Sequence, residues 1–99
     1  MPAILLNERE TREGLLVSVC DADVVGETFE NGDVSLTVDA SFYDGDEADE
    51  AAVVTSLGKC SVANIVGDRS VQLAVDHGFV EEANVLDVEG TRHAQLLWL

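Results

Sequence analysis

A chain of 99 residues with 46% hydrophobic content can bury one core and has no room for two. Its 20 acids face 5 bases, for a formal net charge of −15, and this excludes a broad basic surface of the kind that binds polyanions by neutralising phosphates. Residues 1–6 are apolar, but they are too few and lack the basic start of a signal peptide. No run approaches a membrane span, so the expectation is a cytosolic protein with no membrane partner.

In chain order, residues 3–6 read as a first strand. It is closed by a polar run at 7–13, where Arg9 and Arg12 sit among glutamates, and Gly14 marks a turn. Residues 15–20 form a near-continuous apolar strand, of the kind covered on both faces or placed at a sheet centre. After a turn at Asp21-Ala22-Asp23, Val24-Val25-Gly26 leads to Phe29 and a hairpin-type turn at Glu30-Asn31-Gly32-Asp33. Residues 34–38 alternate as a strand with one wet face.

Ser41-Phe42-Tyr43-Asp44-Gly45 ends this region, and a helix is expected over 46–57. Asp46, Glu47, Asp49 and Glu50 suit its positive end, Ala48, Ala51, Ala52, Val54 and Leu57 its core face, and Gly58 its stop. A strand over 61–66 then runs into Gly67, which permits a tight turn, with Asp68 or Ser70 able to cap a second helix. Val71, Ala74 and Val75 fall on one face of that helix, and Gly78 supplies the left-handed stop. A strand at 85–88, a turn at Gly90 and a last strand at 93–98 complete the chain. Strands outnumber helices, and one strand separates the two helices. The fold class is therefore α+β, a two-layer sandwich of a mostly antiparallel sheet with two helices packed on one face, in a single domain over 1–99.

So acidic a chain repels itself at ordinary ionic strength, whereas in molar salt the screening length falls to about 3 Å. A high-salt cytosol, as in extreme halophiles, is the expected setting. The rival reading, an acidic surface for a basic partner, asks for acids gathered on one face, and here they are spread along the sequence.

Two segments carry candidate chemistry. The strand entering a helix start leaves N–H donors converging near Gly67 to Ser70, where an anion can sit, and Arg69 adds a planar cation beside them. In Arg92-His93-Ala94-Gln95, His93 and Gln95 share one strand face with Ala94 opposite. The candidate binding residues are Asn64, Arg69, Ser70, Arg92, His93 and Gln95.

No catalytic, metal or cofactor site is expected. Cys20 and Cys60 lie far apart without zinc spacing and read as buried free thiols; with His77 and His93 they make a ligand set only if the fold gathers them. The acids from Asp44 to Glu50 miss the register of a calcium loop. No nucleophile elbow or catalytic cysteine signature is present, and the lone Gly67 is far from a phosphate loop. Phe42-Tyr43 fits one ring in the core and one at the rim better than a base-stacking platform.

Four motifs in order, Val19-Cys20-Asp21-Ala22-Asp23-Val24-Val25-Gly26, Phe42-Tyr43-Asp44-Gly45, Asn64-Ile65-Val66-Gly67-Asp68-Arg69-Ser70-Val71 and His93-Ala94-Gln95, resemble a small archaeal family, domain of unknown function 424. The resemblance spans nearly the whole chain and implies a compact two-layer archaeal domain, with no activity attached. Members usually carry a proline just before the histidine, where this chain has Thr91-Arg92.

Three functions follow as expectations. The first is a non-enzymatic accessory domain binding RNA or a ribonucleoprotein through the six candidate residues. The second is a protein-interaction module or homodimer acting through the apolar C-terminal strand at 96–99. The third is an enzyme of unknown chemistry.

Overall fold

The computed structural model describes residues 3–97, and of Asn31 and Phe42 only the backbone. Trp98, expected to end the last strand, Leu99, part of the apolar ending, and Met1 and Pro2 therefore lie outside the described residues.

The central apolar run forms strand β2 (Gly14–Asp21). It pairs antiparallel with β1 (Ile4–Thr11) on one side and parallel with β6 (Val62–Val66) on the other. Beyond β6 lie β8 (Thr91–Leu97) and then β7 (Leu86–Val88), both antiparallel to their neighbours; beyond β1 lies β5 (Asp46–Ala48). The six strands run in the order β5-β1-β2-β6-β8-β7. A separate hairpin joins β3 (Thr28–Asn31) to β4 (Val34–Thr37).

Alternation along the strands sends their side chains to two faces. Val17, Val19, Ala63, Ile65, Ala94 and Leu96 face the longer helices, α2 (Glu50–Lys59) and α3 (Asp68–Asp76), and pack with Val53, Leu57, Val71 and Ala74. On the other face Cys20 and Val66 meet Val38 from beyond the hairpin and Tyr43 from the one-turn helix α1 (Ala40–Tyr43). The expected α+β sheet with two helices on one face is the fold observed.

Three local expectations fail, each for a tertiary reason. The polar run from Asn7 continues β1 as far as Thr11, because β2 supplies a partner for every residue of it. Asp46–Ala48 is a strand rather than a helix start, since Ile4–Leu6 offers an open edge to it. Gly45 beside it has no room for a Cβ against the Leu6 carbonyl. Helix α2 consequently begins later, with Asp49 accepting from Ala52 N–H at 2.8 Å, and it runs past Gly58 to Lys59. Its buried residues are Val53, Ser56 and Leu57, while Ala51 and Ala52 face water.

Candidate functional site

Helix α3 opens at the carboxyl end of β6, beside the carboxyl end of the parallel strand β2. That juxtaposition sets Asp21, the last residue of β2, under the first turn of α3. Its Oδ2 accepts from Arg69 N–H at 3.0 Å, and its Oδ1 from Ser70 N–H at 2.9 Å and the Ser70 hydroxyl at 2.8 Å. The converging donors read from the sequence are present, and the chain's own carboxylate satisfies them. Neither Asp68 nor Ser70 caps the helix; the acceptor comes from 48 residues upstream. Gly67 makes room for it. At φ +110° its backbone suits glycine, and a Cβ there would overlap the Asp21 carboxyl group.

Asp21 is 5% exposed, and every other acid of the chain is exposed. Buried carboxylates persist when several donors hold them, and here a helix N-terminus adds its dipole.

The six candidate residues fall into two groups on opposite faces of the sheet. Arg92 shares the helix-side face with Ala94 and Leu96. Its Nη1 donates to Gln72 Oε1 of α3 at 2.9 Å, and its Nη2 reaches both oxygens of Glu82 at 3.1 and 3.2 Å. Arg69 and Arg92 line one cleft of about 500 Å³, together with Asp68, Gln72, Asp87 and Gly90. Ser70, 1% exposed, lies beneath the helix with its donors on Asp21. Two arginines are thus matched by two aspartates, and the neighbouring cleft that Arg69 also lines carries Asp49, Glu50 and Asp76.

On the far face, His93, Gln95 and Asn64 come together. Gln95 Nε2 donates to Asn64 Oδ1 at 3.2 Å, and these two residues are direct cross-strand partners. The row continues through Ser18 to Asn7, so four polar side chains lie side by side across four strands. Asn7 and Ser18 were invisible as part of it, because only the strand register brings them there. His93 is half-buried beside Val66, and burial holds its imidazole below the usual pKa.

The cysteines and histidines do not gather. Cys20 lies in the core beneath the hairpin and Cys60 in the core beneath the helices, both as free thiols. His77 Nε2 approaches Glu50 Oε1 at 3.3 Å on the helix side. Burial and the neighbouring Asp21, Asp44 and Asp23 push the Cys20 thiol up to about 12, so it is not a nucleophile at neutral pH. No helix among the described residues is long and apolar enough to cross a membrane.

The geometry of the last strand went unread in the sequence. Gly67 N–H donates to the Arg92 carbonyl at 2.9 Å, which fixes the main chain of Arg92, and by alternation of Ala94 and Leu96, toward β6. The peptide groups of Thr91, His93, Gln95 and Leu97 therefore point outward. Strand β7 pairs only Leu86–Val88 with residues 91–93. Among the described residues no strand pairs with the outward N–H and C=O groups of Gln95 and Leu97. Leu97 is 59% and Leu86 48% exposed beside this opening.

Fold and surfaces together define a small two-layer α+β domain with a self-capped helix, a charge-balanced cleft and a partly open sheet edge. The chain belongs to the family described as "Protein of unknown function (DUF424)", which it matches over residues 8–99. It is similar in structure to an uncharacterized conserved protein from Methanopyrus kandleri, seen in a crystal structure. The TM-score is 0.78 and the identity 22%, over 97% of this chain and 94% of that one. At that identity the likeness speaks for the fold. No curated protein matches the chain.

Proposed function

We propose that the protein acts by binding rather than by catalysis, as an interaction module that adds an extended segment of another protein to the outer edge of β8. The observation that carries this reading is the pair of outward peptide groups at Gln95 and Leu97, which no strand pairs among the described residues, with exposed Leu97 and Leu86 beside them. Natural sheets cover or charge their edges, and an open apolar one is a template for strand addition.

RNA or ribonucleoprotein binding is the second reading, favoured by the convergence of Arg69 and Arg92 on one cleft. It ranks below the first because Asp68 and Asp87 balance those charges and Asp21 occupies the helix N-terminus. The far-face group of His93, Gln95 and Asn64 would need a separate ligand contact.

A high-salt cytosol is the proposed setting, supported by a surface that displays every acid except Asp21. Affinity capture from lysate in molar KCl, with and without RNase, separates the readings. The edge reading expects an RNase-resistant partner that Gln95→Pro loses and Arg69→Ala with Arg92→Ala retains. Capture that RNase abolishes and the two arginine variants lose would replace it with the RNA reading.

A further inference from the structure

Resting on the strand-edge reading, we infer the chemistry of the segment it takes: an extended stretch in which basic residues alternate with apolar ones. The hydrogen-bonding part of the site is short. Gln95 and Leu97 each present one donor and one acceptor, two residues apart, so an added strand forms up to four main-chain bonds before it meets Leu86 at the start of β7. Side chains on one face of the added strand would lie next to Gln95 and Leu97, where the exposed Leu97 offers an apolar contact. This much would admit many sequences.

Charge narrows them. The whole molecule carries −15, and the connection leading into β7 carries exposed Glu81 beside Glu82, which pairs with Arg92. Of the nearby bases, Arg92 is engaged by Glu82 and Gln72. An acidic segment approaching this edge meets a molecule of like net charge. A basic one is drawn in, more strongly the lower the ionic strength. A second copy of this chain would bring a further −15 to the same edge.

Proline supplies a sharp test of the edge. The Gln95 N–H points away from β6, so Gln95→Pro deletes one outward donor and leaves the β6–β8 ladder intact, whereas Ala94→Pro removes a bond to β6. The probes are two synthetic hexapeptides, Lys-Val-Lys-Val-Lys-Val and Glu-Val-Glu-Val-Glu-Val. Each is titrated into the isotope-labelled full chain at near-physiological and at molar KCl, with amide shifts and exchange as readout.

The lysine peptide is expected to shift and protect the Gln95 and Leu97 amides. It should bind about tenfold more tightly than the glutamate peptide at the lower salt, with the preference shrinking in molar KCl. Gln95→Pro, which has no amide of its own at 95, should abolish the protection of Leu97 with its melting temperature near wild type. Should that variant not fold, the wild-type pattern of peptide-induced protection carries the test alone.

Equal binding of both peptides overturns the basic chemistry and leaves the edge reading standing. Binding of neither overturns both. An oligouridylate that shifts the same amides would name RNA as the ligand. A concentration-dependent mass lost in Gln95→Pro would name a second copy.

Discussion

Replacing Asp21 by alanine should be among the most damaging single changes in this protein. The substitution removes the cap of α3, which alone costs about 0.5–2 kcal/mol. It also strands the donors that Asp21 accepts from. Ser70 N–H and the Ser70 hydroxyl are buried with the residue at 1% exposure, and each unsatisfied buried donor costs about 1–3 kcal/mol. Allowing for overlap between these effects, the expected loss is about 3–5 kcal/mol, a large share of the 5–15 kcal/mol typical of a domain. Asp21→Asn keeps one acceptor oxygen but turns an amide donor toward Arg69 N–H or Ser70, and should lose about half as much.

Urea unfolding at fixed KCl, followed by far-ultraviolet circular dichroism, measures both. A loss below about 1 kcal/mol for Asp21→Ala would refute the capping role, since the lower bound of the cap and one stranded donor already exceeds that. Gly67→Ala provides an independent check. It should destabilise wild type through its overlap with the Asp21 carboxyl group, and less so in Asp21→Ala, where that group is absent.

Three further outcomes are expected. Thermal stability should rise steeply with KCl up to molar concentrations, and a melting temperature flat across that range would remove the salt-adaptation proposal. His93 is a base held below its ordinary pKa of 6.5 by burial, so the unfolded chain binds the proton more readily. Its contribution is therefore complete above about pH 6.5 and declines as pH falls through that value, and His93→Gln should flatten the slope seen in pH-dependent urea titrations. Cys20 and Cys60, at 0% and 4% exposure, should resist a thiol reagent in the native protein and both react in urea; rapid native labelling of either would contradict their burial.

The strand-rich α+β plan was legible because apolar runs bounded by turn residues mark the strands locally, and α3 carries its own stop at Gly78, whose φ is +76°. Elements defined by pairing were not legible. Nothing in Asn7 to Thr11 is apolar enough to announce a strand, and β2 holds it in the ladder. The acids of Asp46 to Glu50 have the composition of a helix start, but Asp46, Glu47 and Ala48 are claimed by the edge of β1. The site was half legible for a similar reason. Sequence order showed that His93 and Gln95 share a face, and the same alternation put Arg92 on the other. It could not show on which side of the sheet α3 and Arg69 would lie. Nor could it show that Asp21, an unremarked acid after an apolar run, would stand beneath Ser70.

Amide hydrogen exchange in the free, full-length protein tests the open edge most directly. Ala94 and Leu96, whose N–H groups face β6, should exchange slowly, while Gln95 and Leu97 should exchange near the rate of solvated amides, giving an alternating pattern along the second half of β8. Protection of Gln95 and Leu97 equal to that of Ala94, with no ligand present, would mean that the edge is already occupied and would contradict the proposed mode of binding.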